Sequence, residues 1–364
     1  MIKVGSDFSG VGAFNQALMR LGIEYDEVFA CDMDKYARQT FIHNYGEPKY
    51  YPKDVYEREI PKESLDIYMT SPPCQAFSLA GKRLGKDDKR GVLFFNSHEF
   101  IKKNKPRYFI FENVKGLLSD DNGNTFKEWL NMLGGKSVNG LPVLFAYEDS
   151  VPYHIYYKVM NAKKHGVPQN RERVFIIGIR EDKDNHFRWA KEEHLTKRLK
   201  DVLENKVDKK YFLSEKSIQG IVNSNFISKS TIIQDQNNYC ATLLSRDYKD
   251  PKCVKINSAI KKVDVWVADY RADEGLRIRK DNISPCMTSS MRDGKEWNPK
   301  AGTRNPPLVG NNNYIRRLTP RECFRLMDFP DTFTWTCSDS QAYKQAGNSI
   351  VVRCLELIIK QFNL

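Results

Sequence analysis

Three places in this chain carry side chains that could do chemistry together: the cysteine behind two prolines in Pro72-Pro73-Cys74, the acid Glu112, and the arginines Arg171 and Arg173. A thiolate is the most nucleophilic of the ordinary side chains, and at the mouth of a pocket it can attack an electron-poor ring carbon. The prolines fix their own φ and offer carbonyls without N–H groups, so the backbone entering Cys74 is stiff. A carboxyl whose pKa is raised by burial can donate a proton, and paired guanidiniums can hold a carboxylate or a ring oxygen. Each has a plainer reading alone. An isolated Pro-Pro-Cys is more often a structural cysteine in a turn, Glu112 reads equally as an edge carboxylate, and the arginines as decoration at a strand's end.

The elements that must position these groups follow from the apolar runs. Residues 65–69 form a short apolar run that reads as a buried strand with the prolines at its end. A second strand over 108–111 runs into Glu112-Asn113-Val114, at the carboxyl end where open α/β sheets place their ligands. Gln169-Asn170-Arg171-Glu172-Arg173 precedes a strand over 174–179. If the extended conformation already covers this stretch, Arg171 and Arg173 point to one face and Glu172 to the other.

The amino-terminal stretch has the pattern of a nucleotide-binding unit. Residues 2–8 read as a strand, Ser9-Gly10-Val11-Gly12 as a tight turn, and Phe14, Leu18 and Leu21 as the apolar face of a helix. The glycines let a ligand approach the backbone, although Gly-x-Gly alone is common in turns. A strand over 28–31 then ends in Asp32, 20 residues beyond Gly12, a placement suited to ribose hydroxyls. Met33 beside it could pack on an adenine and Asp54 could accept from its amino group; each alone also fits a core methionine or a solvated carboxylate. After Cys74, residues 79–90 hold Gly81, Gly85, Lys82, Arg83, Lys86, Lys89 and Arg90. Glycines and cations together suggest a flap that closes on phosphates, with a merely solvated loop as the even alternative.

Bulk properties bound these readings. At 364 residues with 40% hydrophobic content, two domains are expected, each with its own core. No apolar run of about 18 residues and no leader peptide is evident, so a membrane span is not expected. Eight cysteines without a Cys-x-x-Cys pair argue against a zinc site and a disulfide framework, so no metal is expected and a reducing cytoplasm is the expected location. The formal net charge of +12 suits a polyanionic partner, nucleic acid above all.

From about 185 to 313 the chain turns polar and rich in Asn and Lys, with no clear helix beyond 195–203; it reads as a second, smaller, partly β domain. Cys240-Ala-Thr242-Leu-Leu-Ser-Arg246-Asp247 echoes Cys286-Met-Thr288-Ser-Ser-Met-Arg292-Asp293 at an offset of 46. Two hairpin-like units presenting Arg246 and Arg292 to one surface would explain this echo; chance similarity would also. Thr319-Pro320-Arg321-Glu322 is a capping box with proline at the first helical position, and the helix carries Phe324, Leu326 and Met327 before stopping ahead of Pro330. Gln345-Ala346-Gly347-Asn348-Ser349 leads into a final helix over 350–362 that would pack back on the first domain.

In this order the motifs resemble those of the DNA cytosine-5 methyltransferases, particularly the compact bacterial enzymes of restriction–modification systems. Phe8-Ser9-Gly10-Val11-Gly12 is similar to their cofactor motif, Pro72-Pro73-Cys74-Gln75 to the nucleophile motif, Glu112-Asn113-Val114 to the acid motif and Gln169–Arg173 to the arginine motif. Arg317–Glu322 and Gly347-Asn348-Ser349 match the two closing motifs. The likeness spans nearly everything outside 185–313. It departs at Ser6, where the family usually has an acid and where Asp7 follows instead, and at Met33, where a large aromatic often stacks on adenine; thioether packing is expected there.

The resemblance implies an α/β chain: a Rossmann-like S-adenosylmethionine-dependent methyltransferase domain with a smaller, partly β target-recognition domain. Residues 1–184 would form the catalytic and cofactor-binding domain, 185–328 the target-recognition domain, and 329–364 would return to complete the first. Catalytic roles fall to Cys74, Glu112, Arg171 and Arg173. S-adenosyl-L-methionine would be held by Phe8, Ser9, Gly10, Gly12, Asp32, Met33, Asp54, Val55, Pro72, Asn348 and Ile350. Contacts to DNA would come from Pro73, Gln75, Ser78, Lys82, Arg83, Arg246 and Arg292.

The implied reaction adds the thiolate of Cys74 to C6 of a cytosine flipped out of double-stranded DNA, so that C5 becomes nucleophilic enough to take a methyl group. The expected protein acts as a monomer, with a cognate restriction endonuclease as its partner in the system. Two rivals stay open: a non-catalytic DNA-binding relative, and a tRNA cytosine-5 methyltransferase. Intact Cys74, Glu112 and Arg173 oppose the first, and the lack of a Cys-Phe-Thr signature after Val114 opposes the second.

Overall fold

A computed structural model describes residues 1–73, 92–183, 185–212 and 315–364, together with the backbone of four strands between 252 and 310. Contacts divide the chain into two compact units. The first comprises Met1–Met160, Glu172–Lys191 and Leu355–Leu364; the second comprises Asn161–Arg171 and Glu192–Cys354.

The first unit is built on eight strands: β1 (Ile2–Asp7), β2 (Tyr25–Cys31), β3 (Ile67–Thr70), β4 (Tyr108–Val114), β5 (Ser137–Val138), β6 (Leu141–Pro142), β7 (Tyr153–Asn161) and β8 (Glu172–Arg180). Their order across the sheet is β2-β1-β3-β4-β8-β7-β5-β6. Strands β1 to β4 pair in parallel, as runs of apolar residues buried on both faces should, and β8 returns antiparallel to β4. The crossovers carry α1 (Ala13–Arg20), α2 (Lys35–Tyr45) and α3 (Val92–Asn104), and α4 (Asn124–Leu133) follows β4. This is a doubly wound α/β sheet, whose ligands belong at the carboxyl ends of its parallel strands.

Aromatic residues fill much of the core beside the sheet. Phe94 stacks on Trp129 at 4.2 Å and Tyr68 on Phe100 at 4.1 Å between ring centroids. Such pairs contribute about 0.5–1.5 kcal/mol each beyond simple burial. The last ten residues belong here too: Phe362 lies flat on Tyr108, with centroids 4.3 Å apart and ring planes within 3°.

The second unit holds a five-stranded sheet. Strands β10 (Asp264–Arg271), β11 (Gly275–Arg279), β12 (Leu308–Gly310) and β13 (Ile315–Arg317) follow the order β11-β10-β12-β13, and β9 (Lys252–Asn257) pairs with β10. All these pairings are antiparallel. Three helices follow: α5 (Pro320–Leu326), α6 (Asp339–Asn348) and α7 (Val352–Ile359), the last running from this unit into the first.

Helix α5 begins where its capping box places it. Thr319 Oγ1 accepts from the Glu322 N–H at 3.2 Å and Glu322 returns a bond to the Thr319 N–H at 2.8 Å. Helix α6 overturns the expectation that residues 345–348 are a lead-in, because they form its last turn. Ser338 at the N-cap, Asp339 in the first turn and Ala342, Tyr343 and Ala346 at helical spacing were the signal. Among the described residues, no helix is long and apolar enough to cross a membrane.

Candidate active site

In the first unit the glycine turn leaves the end of β1 through residues of unusual backbone geometry. Phe8, Gly10 and Gly12 all adopt positive φ, at 57°, 55° and 83°. Glycine takes such angles freely, whereas Phe8 does so at a cost of about 1–3 kcal/mol that its surroundings must offset. Gly12 is required twice over, since a Cβ there would lie 2.2 Å from the Tyr45 ring. The Ser9 N–H donates to the Cys31 carbonyl at 3.0 Å and the Gly10 N–H to Asp32 Oδ2 at 2.8 Å.

Asp32 is thereby joined to the turn that the sequence paired it with. Its other oxygen accepts from the Asp34 N–H at 2.8 Å, and Asp34 in turn caps α2 through the Tyr36 and Ala37 N–H groups. Burial pushes the Asp32 carboxyl pKa up, against the pull of these two backbone bonds. Each oxygen accepts one backbone N–H, which leaves a second lone pair on each for a hydroxyl. Met33 next to it is 80% exposed, an apolar thioether with its flank open to a planar ring. Asp54 takes the Tyr56 N–H on Oδ1 at 3.0 Å, and Val55 is buried with its carbonyl accepting from Asn96 Nδ2 at 3.0 Å. These residues fit a nucleoside.

Asp7 does not join this set. Its carboxylate is buried, taking Arg58 Nε at 2.9 Å and the Tyr68 hydroxyl at 2.6 Å, while Arg58 also donates to Asn96 at 2.7 Å. Burial raises the Asp7 pKa, and the Arg58 charge and the Tyr68 bond oppose it. The acid after Ser6 is therefore a core ion pair beneath the turn. Sequence reasoning missed Arg58 and Tyr68, because partners 51 and 61 residues away leave no local pattern.

Pro72 is buried and Pro73 exposed just beyond β3. Asn113 Nδ2 donates to the Pro72 carbonyl at 3.1 Å, which ties the proline turn to the carboxyl end of β4. The carbonyl-only character of proline makes this an acceptor site, and the second residue of the acid motif fills it. Beside it, Glu112 is 7% exposed and Arg173 Nε lies 3.1 Å from its Oε1. The β4–β8 ladder explains the meeting: Arg173 stands opposite Val114, hence diagonal to Glu112 on the same face. Arg173 Nη1 also donates to the Glu172 carbonyl at 2.8 Å.

The expected guanidinium pair is divided. Strand β8 begins at Glu172, so Arg171 precedes the extended run and belongs to the second unit. Its Nη2 donates to the Gly347 carbonyl at 3.1 Å and the Ser349 carbonyl at 2.7 Å, where α6 ends. Gln169 Nε2 likewise holds the Leu326 carbonyl at 2.7 Å. The first half of the arginine motif thus grips backbone in the second unit, and Arg173 holds the acid in the first. Asn348 is exposed at the end of α6, and Ile350 is half-buried just beyond it, both in the second unit. Cys74, Gln75, Ser78, Lys82, Arg83, Arg246 and Arg292 lie outside the described residues. Among the described residues, no cluster of metal-ligating side chains occurs.

A doubly wound sheet with a glycine turn, a facing acid at the end of β2 and a second acid at the end of β4 defines a Rossmann-like S-adenosylmethionine-dependent methyltransferase, here with a smaller, partly β unit. The chain belongs to the C-5 cytosine-specific DNA methylase family, whose profile matches residues 2–363, and is a DNA (cytosine-5)-methyltransferase of a family that uses S-adenosyl-L-methionine as methyl donor. It is 32% identical to the orphan methyltransferase M.SPRI of Bacillus phage SPR, over 99% of this chain and 97% of that protein. It is also 32% identical to the type II methyltransferase M.HhaI of Haemophilus parahaemolyticus, over 96% and 91% respectively. Among solved structures, the S. pombe Dnmt2 methyltransferase superposes with a TM-score of 0.61 at 17% identity, covering 98% of this chain and 96% of its own, a likeness of fold.

Proposed function

We propose that the protein methylates C5 of a cytosine flipped out of double-stranded DNA at a specific sequence, through a transient bond to Cys74, and that it is the modification arm of a restriction–modification system. The observation that carries this reading is the carboxylate of Glu112, held by Arg173 at the end of β4 and flanked by the bond from Asn113 to the Pro72 carbonyl, two residues before Cys74. A nucleophile's turn and an acid fastened to one strand end are what addition across a pyrimidine requires.

C5 of cytosine is a poor nucleophile. The Cys74 thiolate adds to C6, the electrons of the C5–C6 bond move into the ring, and Glu112 holds or protonates N3 as negative charge gathers there. Arg173 keeps Glu112 in place. S-adenosyl-L-methionine, when bound, supplies an electrophilic methyl group on a sulfonium, and Gly10, Asp32, Met33 and Asp54 would hold its nucleoside half. A base then takes the C5 proton, the C5–C6 double bond reforms, and the thiolate of Cys74 leaves. Because C6 is inaccessible in a stacked duplex, the base is extruded at a cost of a few kcal/mol. Cations including Lys82 and Arg83 after the nucleophile, and Arg246 and Arg292 in the polar region, would offset that cost by gripping DNA.

By motif match, Phe8, Ser9, Gly12, Val55, Pro72, Asn348 and Ile350 complete the cofactor contacts, and Pro73, Gln75 and Ser78 the contacts to DNA. On the same reading, residues 1–184 with 329–364 form the catalytic domain and 185–328 the target-recognition domain. The protein acts as a cytoplasmic monomer. The phage relative M.SPRI, named an orphan methyltransferase, supports a second reading in which no endonuclease accompanies the protein.

The test is base-resolution mapping of 5-methylcytosine in DNA from cells expressing the protein, beside a Cys74→Ala control. Methylation at one sequence that vanishes in the variant while DNA binding persists is expected. Turnover retained by the variant would refute the covalent route, and survival of unmethylated host DNA beside the native gene neighbours would refute a paired endonuclease.

A further inference from the structure

Ser9 stands between two residues of positive φ, so the shape of the turn depends on what holds Ser9. Its N–H is bound to Cys31, and its hydroxyl lies 3.2 Å from the Tyr51 hydroxyl. Tyr51 is itself fastened. Its ring packs against Phe41 with centroids 5.4 Å apart, and the Arg38 guanidinium lies over the Tyr51 ring at 3.8 Å from its centroid. Arg38 also donates to the carbonyls of Tyr51 at 2.8 Å and Pro52 at 2.9 Å. The same segment runs beside β2, with the Ala30 N–H bound to Tyr50 and the Asp32 N–H to Pro52.

We propose that Tyr51, clamped by Arg38, is a positioning residue for the methyl donor: through Ser9 it fixes the glycine turn in register with Asp32. Arg38 belongs to α2, whose first turn is capped by Asp34, and Asp34 donates its N–H to Asp32. The acid and the turn are therefore held from one support. Tyr51 is not needed to touch the ligand; it prevents Ser9, and with it Gly10, from relaxing out of the strained conformation when the site is empty. This is preorganisation, which shows in affinity and leaves chemistry alone. The inference rests on the reading that Gly10 and Asp32 hold the donor's nucleoside half.

The experiment measures the Kd of S-adenosylhomocysteine by calorimetric titration for the full chain and for Tyr51→Phe, Ser9→Ala, the double variant and Asp32→Asn. Tyr51→Phe keeps the ring and loses the hydroxyl alone. It should raise Kd roughly 3- to 10-fold, with the thermal midpoint of the free protein and kcat at saturating donor little changed. Ser9→Ala should raise Kd at least as much, and the double variant should be no worse than Ser9→Ala alone, since Tyr51→Phe and Ser9→Ala break one and the same bond. An unchanged Kd in Tyr51→Phe, or additive effects in the double variant, would overturn the proposal. An unchanged Kd in Asp32→Asn would overturn the underlying reading of the donor site instead.

Discussion

Arg173 faces Val114 across the β4–β8 ladder and reaches diagonally to Glu112, with Nε 3.1 Å from Oε1. Both side chains are largely enclosed, at 16% and 9% exposure, so the pair is not a solvent-screened surface bridge. A charged partner at that position fixes which way the carboxyl points. Removing it takes away a charged contact that orients the enclosed acid.

Arg173→Ala should therefore lower kcat by roughly two orders of magnitude, with little change in affinity for DNA. Arg171→Ala should act differently, because its described bonds go to the Gly347 and Ser349 carbonyls in the second unit. It should lower the thermal midpoint. Single-turnover methylation and scanning calorimetry on the two variants separate these outcomes, and equal loss of kcat without loss of stability in both would contradict the division described above.

A second expectation concerns pH. Asn15 Nδ2 donates to Glu27 Oε2, while Glu27 Oε1 and Asn15 Oδ1 are buried with no bond among the described residues. Burial is the main cause that pushes the Glu27 pKa from 4.5 up to about 8, with Asp26 adding to it and the Asn15 bond opposing. Tyr25, also near Asn15, has its own pKa raised by burial. A pKa higher in the folded protein means that the folded state binds the proton more tightly. The stabilisation is complete below about 4.5 and is lost as pH rises toward 8. Glu27→Gln removes this dependence. Its thermal midpoint should exceed that of the native protein at pH 8 and converge with it near pH 5, the underlying difference in stability reaching on the order of 4 kcal/mol at most. Parallel midpoint curves for the two proteins would show that Glu27 is ionised throughout.

The third prediction concerns Glu322, the acid of the capping box. It is fully buried, takes both Nη groups of Arg316 at 2.8 and 2.7 Å, and accepts the Glu204 N–H at 2.8 Å besides its bond from Thr319. Glu322→Ala strands a buried guanidinium and two backbone donors. It should destabilise the second unit by about 3–5 kcal/mol, whereas Thr319→Ala, losing the cap bond from the Glu322 N–H and its own bond to Glu204 Oε2, should cost about 1–2 kcal/mol. Denaturant titration of the two variants gives the ranking; equal effects would mean that Arg316 finds another partner.

The comparison of Glu322 with Glu112 shows where sequence was legible. The capping box is a local rule, so Thr319, Pro320 and Glu322 announced the start of α5 from four consecutive residues. The parallel core was equally plain in the apolar runs that became β1, β2, β3 and β4. What stayed hidden was the pairing of polar side chains: Arg316 beneath Glu322 across the turn from strand to helix, and, far apart in the chain, Arg58 beneath Asp7 and Tyr51 beside Ser9. Each is a polar pair that sequence spacing does not link, and each would look like a solvated side chain until the fold closes. The arginine motif was legible as a unit, yet its residues divide between two units, because β8 begins one residue after Arg171. Alternation along an assumed strand cannot register that boundary.

Neither unit is a continuous stretch of chain: the first is assembled from 1–160, 172–191 and 355–364. During translation the α/β sheet can collapse early, but the face of Tyr108 stays bare until Phe362 has been synthesised, some 250 residues later. The newborn protein must therefore carry an unfinished apolar surface through most of its synthesis, a window in which a chaperone could act and in which a missing carboxyl-terminal turn would be felt at the centre of the sheet.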